Sequence, residues 1–438
     1  MGLTPPVLFY KEHLVKVILP FWTKNALDLE NGGVYTCFSM DGATLISRDK
    51  YTWSQGRFLW LASRLVSMAR AGKLDVDKDL FLEAAEKTAS FLLSHVFLDN
   101  GHCAFVLSNQ GVPKLVGDQE RLDASVYADC FVCLGFTEYA SMTGDLELLN
   151  RAWDLYLSVL DRAETGDIVT EPYTVPPELT VHGIPMILLN LSYELYRVFK
   201  EKGDPRTETA MSHSQTHIDS LWLQYDVEAK VLREHMVKPP FPKEGWEGTL
   251  LCEHIAPGHT AETLWMMMEF ARDLSDWDLI DRCLAALKQT FRLAWDDQFG
   301  GLFRFVGLRG GAPNGRMMGT SYEDQILDTW DMKLWWVHTE FLYAAYLGWS
   351  LTQDQECRAM AEQIHQYTFT TFPNPNETLG EWLQKRDRRG LPQDKIVALP
   401  VKDPYHIARD LLLLMSLSRD DSNIKPHAMR GRTERDEP

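Results

Sequence analysis

Six short strand-and-turn insertions punctuate this chain at nearly even intervals, and that rhythm limits its folds more than any single motif does. They centre on Gly33 ("ENGGVYTCFSMDGATL"), Gly101 ("DNGHCAFVLSNQGVP"), Gly166 ("TGDIVTEPYTVPP"), Asp226 ("YDVEAKVLREH"), Gly301 ("DQFGGLFRFVGLRGGAP") and Gly380 ("GEWLQKRDRRGLP"), at gaps of 68, 65, 60, 75 and 79 residues. Each reads as a Gly- or Asp-led turn beside a short alternating stretch, the signature of a hairpin. Between insertions there is room for two helices. In "YTWSQGRFLWLASRLVSMARAG" and "LIDRCLAALKQTFRLAW" apolar residues recur every three or four positions, the amphipathic helix period. Six helix pairs stack as an open solenoid or close into a ring. Solenoid repeats are usually shorter, and no capping repeats are evident. The spacing therefore predicts an all-α toroid of six inner and six outer helices, with hairpins lengthening one rim. One domain over residues 1–418 is expected, followed by a polar, disordered tail over 419–438.

Charge and apolar runs narrow the partners. With 62 acidic and 44 basic residues the formal charge is −18, which repels phosphate backbones, so no nucleic-acid partner is expected. No run approaches the roughly 18–20 apolar residues that span a bilayer, so no membrane partner is expected. The N-terminal "MGLTPPVLFYKEHLVKVILPFW" lacks a signal peptide's basic flank and unbroken apolar run. Pro6 stands where myristoylation wants Ser or Thr. Seven cysteines are scattered; Cys130 and Cys133 lie inside an apolar helical run, and no second pair completes a zinc site. They read as buried thiols of a reducing compartment, and a cytoplasmic location is expected.

Four segments carry candidate chemistry. In "EHIAPGHTAETLW", His259 opens a helix and Glu262 shares its face three residues on. Taken alone, the pair fits a metal fragment, a general base with its partner, or a solvated helix start. A two-ligand metal helix usually wants histidines at i and i+4, which this segment lacks. In "VKDPYHIARD", His406 and Arg409 lie one turn apart. In "YTWSQGRFLW", Trp53, Arg57 and Trp60 share a face, and an arginine there is costly unless it is paired or meets a polar cavity. In "WDMKLWWVHTE", Lys333, Trp336 and Glu340 share a face that sets an aromatic plane beside a carboxylate. Of Trp335 and Trp336, one is expected to be core.

With "NGGVYTCF", "YADCF", "PMILLNL" and "AWDDQFGGL", these segments run from Pro20 to about Leu414 and resemble the N-acylglucosamine 2-epimerase family. That family also holds cellobiose epimerases and mannose and sulfoquinovose isomerases. The resemblance implies an (α/α)6 barrel, in agreement with the six insertions. It also implies action on an open-chain aldose without a metal or redox cofactor.

Epimerisation at C2 starts by removing the proton next to the C1 aldehyde. It needs a base near neutral pH, a donor for the growing oxyanion, and proton donors on both faces of the planar enediolate. The first base is expected to be His259, its pKa lowered by the positive end of its helix, with Glu262 orienting it or binding hydroxyls. The resemblance gives His406 the partner role across the cleft and Arg57 a contact to sugar O1 or O2. Substrate contacts are expected from Trp53, His182, Glu262, Trp336, Glu340 and Arg409. His182 in "TVHGIPMILLN" and Asp328-Thr329, where a carboxylate is displaced or lost, depart from the acylglucosamine pattern. Both count against N-acetylglucosamine as the substrate, and a third inward histidine would favour an unacylated aldose. The Gly-rich loop over 307–320 reads as a lid or a surface insert. Family members that act on acylglucosamine can respond to ATP, but no Gly-x-x-x-x-Gly-Lys loop is present to place such an effector.

The leading expectation is a sugar 2-epimerase for an open-chain hexose or N-acylhexosamine, interconverting N-acetylglucosamine and N-acetylmannosamine, with a homodimer as its assembly. Its alternatives are a mannose-type aldose-ketose isomerase using the same histidines, a glycoside hydrolase and a binding-only protein. Hydrolysis wants two cleft carboxylates, whereas these segments lead with histidine and arginine.

Overall fold

The computed structural model describes residues 6–417 except 118 and 173, so the tail expected over 419–438 lies outside the described residues. In chain order the helices are α1 (Val7–His13), α2 (Leu19–Asn25), α3 (Thr52–Arg70), α4 (Lys78–His95), α5 (Val126–Thr143), α6 (Leu146–Thr165) and α7 (Gly183–Lys202). They continue as α8 (Thr207–Trp222), α9 (Pro257–Leu274), α10 (Trp277–Ala294), α11 (Ser321–Thr329), α12 (Trp335–Thr352), α13 (Gln355–Thr371) and α14 (Tyr405–Leu417). A π-helical turn, Leu14–Ile18, joins α1 to α2.

Helix α3 packs on α5, α5 on α7, α7 on α9, α9 on α12 and α12 on α14, which returns to α3 and closes the ring. Outside it, α4, α6, α8, α10, α13 and α1 back α3, α5, α7, α9, α12 and α14 in turn. This is the (α/α)6 barrel. Sequence sorts the layers: α9 and α12 are buried almost all round, whereas α6 and α10 bury one stripe, as inner and surface helices must. Between α3 and α5 the backbones nearly touch. A Cβ on Gly56 would fall 2.1 Å from the Phe131 carbonyl oxygen, and one on Gly135 would fall 2.6 Å from that of Gly56.

The helix starts also differ between layers, α1 and α8 of the outer ring excepted. Outer helices α4, α6, α10 and α13 are capped by Asp77, Asp145, Asp276 and Asp354, whose side chains accept a backbone N–H, the usual treatment of orphan donors. Among the described residues, no side-chain oxygen caps the inner helices α3, α5, α7, α9 or α12. Their positive ends gather at the rim that the six insertions build.

Those insertions differ from six separate hairpins. The second and fourth are hairpins, with Val106–Leu107 antiparallel to Pro113–Lys114 and Tyr225–Asp226 antiparallel to Val231–Leu232. Strands also pair laterally between segments: Lys50–Tyr51 with Val106–Leu107, His254–Ile255 with Val306–Gly307, and Lys333–Leu334 with Lys385–Arg386. Two-residue strands cannot hold a hairpin alone, and lateral pairing satisfies their backbone groups. The Gly-rich loop over 307–320 is pinned beside residues 248–250 by Leu250 N–H to the Arg316 oxygen (3.0 Å) and Arg316 N–H to the Gly248 oxygen (2.8 Å). None of its residues lines the cavity described next.

Candidate active site

A cavity of about 430 Å³ opens at this rim, within the roughly 300–1,000 Å³ of small-molecule sites. All six inner helices reach it near their N-termini, through Trp53 and Arg57 of α3, Phe131 of α5, Met186 of α7, His259 and Glu262 of α9, Trp336 of α12 and His406 of α14. Their convergence is a product of the barrel, since they come from segments far apart in sequence.

Trp336 stands between the two histidines, its ring 5.4 Å from that of His259 and 5.6 Å from that of His406. Gly258 makes room for it, because a Cβ there would lie 2.3 Å from the Trp336 ring. Each imidazole is held through Nδ1 by a carboxylate: His259 by Glu234 at 3.0 Å and His406 by Glu340 at 2.6 Å. A carboxylate only accepts, so Nδ1 carries the proton and Nε2 of the neutral ring is the free basic atom.

The two histidines are tuned apart. Burial pulls the pKa of His259 down, but the charge and hydrogen bond of Glu234, with Glu262 behind them, outweigh it and leave it raised above its usual 6.5. The expected lowering by the helix start is therefore corrected, since a carboxylate at hydrogen-bond range exceeds a helix end's partial charge. Glu234 itself is depressed against its burial by the histidines around it. His406 is lowered to about 3, first by burial and then by the Arg57 charge. Such separation is how one site keeps an acid and a base at the same pH.

Arg57 lies over the ring of Phe131 at 4.0 Å and that of Tyr405 at 5.2 Å, with Nη1 3.5 Å from Asp403. Asp403 also approaches His406 Nε2 at 3.6 Å, while its other oxygen accepts the Tyr405 N–H at 2.9 Å.

Several expected contacts move behind the cavity wall. Glu340 is fully buried and accepts from His406, from Trp265 Nε1 (2.7 Å) and from Arg409. Arg409 is also buried, on Glu262 at 2.9 Å and Asp410 at 3.2 Å. These two hold the site rather than touch substrate. Glu262 lines the cavity but pairs with Arg409, and Glu234 takes the orienting role expected of it. His182 is 1% exposed, stacks 6.3 Å behind His259 and bonds Thr263 at 2.8 Å; burial lowers its pKa to about 4. Its neighbour Gly183 reaches the cavity instead. Lys333 is fully buried in a strand, on Asp296 at 3.2 Å, because α12 starts two residues later. Trp335 is core at 8% exposure, yet both tryptophans contribute atoms to the lining.

Glu262, Glu340 and His406 could together ligate a metal. Arg409 Nη2 bonds both glutamates, so a guanidinium supplies the positive charge at their centre. Glu234 and Asp403 were not foreseen. The Asp-Pro before a helix start in "KDPYH" was the signal for Asp403; Glu234, in the fourth insertion, offered none.

A rim cavity with two carboxylate-held histidines, on an (α/α)6 barrel, is a site built to move protons on a bound small molecule. A family model described as N-acylglucosamine 2-epimerase (GlcNAc 2-epimerase) matches residues 33–409, and the chain belongs to that family of carbohydrate epimerases, within the isomerases. Similar curated proteins include the N-acylglucosamine 2-epimerases of Rattus norvegicus, 28% identical over 90% of this chain and 88% of that one, and of Homo sapiens, 26% identical over 90% and 86%. Among solved structures, a cellobiose 2-epimerase from Bacillus thermoamylovorans matches at TM-score 0.72 with 21% identity, covering 94% of this chain and 99% of that one. A D-mannose isomerase matches at 0.72 with 14% identity, over 95% and 99%.

No helix among the described residues is long and apolar enough to cross a membrane.

Proposed function

We propose that this sugar 2-epimerase inverts C2 of an open-chain N-acylhexosamine, interconverting the gluco and manno forms, with His259 and His406 as the acid–base pair. The observation that carries this reading is Trp336 flanked by two imidazoles, each with its Nδ1 on a carboxylate. In one direction neutral His406 takes the C2 proton, and the imidazolium of His259, favoured by Glu234, delivers one to the opposite face. The reverse uses the same pair with the proton relocated. Arg57 and the uncapped starts of the inner helices stabilise the enediolate oxygens. Trp336 supplies an apolar face for the sugar C–H groups. The route needs proton transfer alone, without a metal or redox cofactor, a reading supported by the guanidinium between Glu262 and Glu340. The choice of an acylated sugar is supported by relatives at 26–28% identity that are N-acylglucosamine 2-epimerases. Seven buried, unpaired cysteines support a reducing, cytoplasmic setting.

The test is incubation in deuterated water with N-acetylglucosamine, N-acetylmannosamine, mannose, glucose and cellobiose, read by NMR. A C2 epimer of an N-acetylated sugar carrying deuterium at C2 is expected. A ketose product, or turnover of the unacylated sugars alone, overturns the reading.

A further inference from the structure

The cavity is polar at its floor and apolar at its mouth. His259, His406, Arg57 and Asp403 meet at the floor, enough to satisfy a hexose's reacting end. The apolar part of the mouth is formed by Met40 of the first insertion, Ile46 just past it, and Ile396, Leu399 and Val401 ahead of α14, in a lining that also includes Lys385 and Asp394. Ile46 is 69% exposed and Ile396 is 62% exposed, both facing one opening. Such a cluster is informative where a lone exposed isoleucine is not. The two segments are tied together, with Lys402 N–H on the Thr36 oxygen at 2.8 Å and Lys402 Nζ on the Met40 oxygen at 2.9 Å. Leu399 and Val401 pack, with Trp53, against the cluster around Tyr51 and Phe105. The apolar wall thus runs from the mouth inward to the helix that bears Arg57.

We infer that this mouth is a subsite for the hydrocarbon of the C2 acyl group, and that the enzyme takes N-acylhexosamines with chains longer than acetyl. The inference rests on the proposed C2 chemistry and names the substrate class of that same site. The acyl group is the one substituent beside the reacting carbon that extends without hydroxyls. A second sugar unit would need hydrogen-bonding partners, which these five side chains lack. Gln384, Lys385 and Asp394 also line the cavity, and the cellobiose arm of the test decides whether they hold one.

The experiment compares KM and kcat for N-acetyl-, N-propionyl-, N-butyryl- and N-pentanoylglucosamine. Each buried methylene adds about 0.8 kcal/mol, so KM is expected to fall about fourfold per methylene while kcat stays level. The paired variant Ile46→Ser, Ile396→Ser is expected to flatten that slope. A KM that is level or rises along the series in an enzyme that turns over the acetyl sugar overturns this inference and leaves the C2 reading standing. So does an unchanged slope in the variant, or a lower KM for cellobiose than for any acylated sugar. C2 exchange confined to unacylated sugars overturns both.

Discussion

Replacing Glu340 by glutamine keeps the shape of the side chain but sets three donors against a group with one acceptor oxygen. In the protein one oxygen of Glu340 accepts from His406 Nδ1 and Arg409 Nη2, while the other accepts from Trp265 Nε1. Glutamine offers one oxygen and one NH2. Turned to keep its oxygen on His406 and Arg409, it sets N–H against the Trp265 N–H, leaving a buried donor unmet at about 1–3 kcal/mol. Turned the other way, it faces a guanidinium with an NH2 and forces His406 to accept at Nδ1, which protonates Nε2 and removes the base. The first orientation costs less. Weakening the Arg409 contact from charge-assisted to neutral adds about 1 kcal/mol. Glu340→Gln is thus expected to lose about 2–4 kcal/mol in urea unfolding followed by circular dichroism at 222 nm. Trp265→Phe removes the clashing donor, so the double variant is expected to be about 1–2 kcal/mol more stable than the sum of the singles predicts. Simple additivity, or a single variant within about 0.5 kcal/mol of the parent, would refute the reasoning.

The remaining predictions concern turnover and pH. His259→Asn and His406→Asn are each expected to cut epimerisation by about 10²–10⁴-fold while retaining deuterium uptake at C2 from one epimer only, a different one in each variant; uptake from both epimers in either variant contradicts a two-base site. Glu234→Gln keeps an acceptor for His259 Nδ1 but removes the charge that raises its pKa, so in the direction using His259 as acid the alkaline limb of the rate profile moves to lower pH; an unmoved limb counts against Glu234 as the tuning group. Stability falls as pH drops, because burial holds His182 and His254 near pKa 4 and His338 and His406 near 3. The unfolded chain binds more protons from about pH 6.5 down to those values, so stability is complete above that window and lost through it; a urea midpoint level from pH 7 to 4.5 would refute this. Gly258→Ala displaces Trp336 and is expected to lower kcat/KM at least tenfold, and wild-type kinetics would show the close approach to be dispensable.

The barrel was legible because its evidence is distributed: six insertions and paired amphipathic helices carry one message, and local error does not erase it. The cavity-facing residues His259, His406, Arg57, Trp53 and Trp336 were legible because each stands near the start of an inner helix. Depth was not. A shared helical face puts Trp336 and Glu340 in line, but the second lies one turn further into the barrel, under the cavity rather than beside it. Arg409 is lost to view for the same reason, and His182 because the chain turns just before α7 and presents Gly183 instead. Glu234 lies 25 residues before His259, past the fourth insertion's hairpin, on a stretch whose path depends on lateral backbone bonds to residues 178–182. The sign of the His259 shift followed that omission.

That lateral pairing also bears on how specificity can be re-engineered. A loop cut from a relative and grafted singly would arrive without the adjoining strand that completes its backbone bonding. Productive chimaeras should therefore exchange adjacent segments as couples, 254–255 with 306–307 or 333–334 with 385–386. Recombination libraries with breakpoints inside the helices that separate partners should be enriched in misfolded clones.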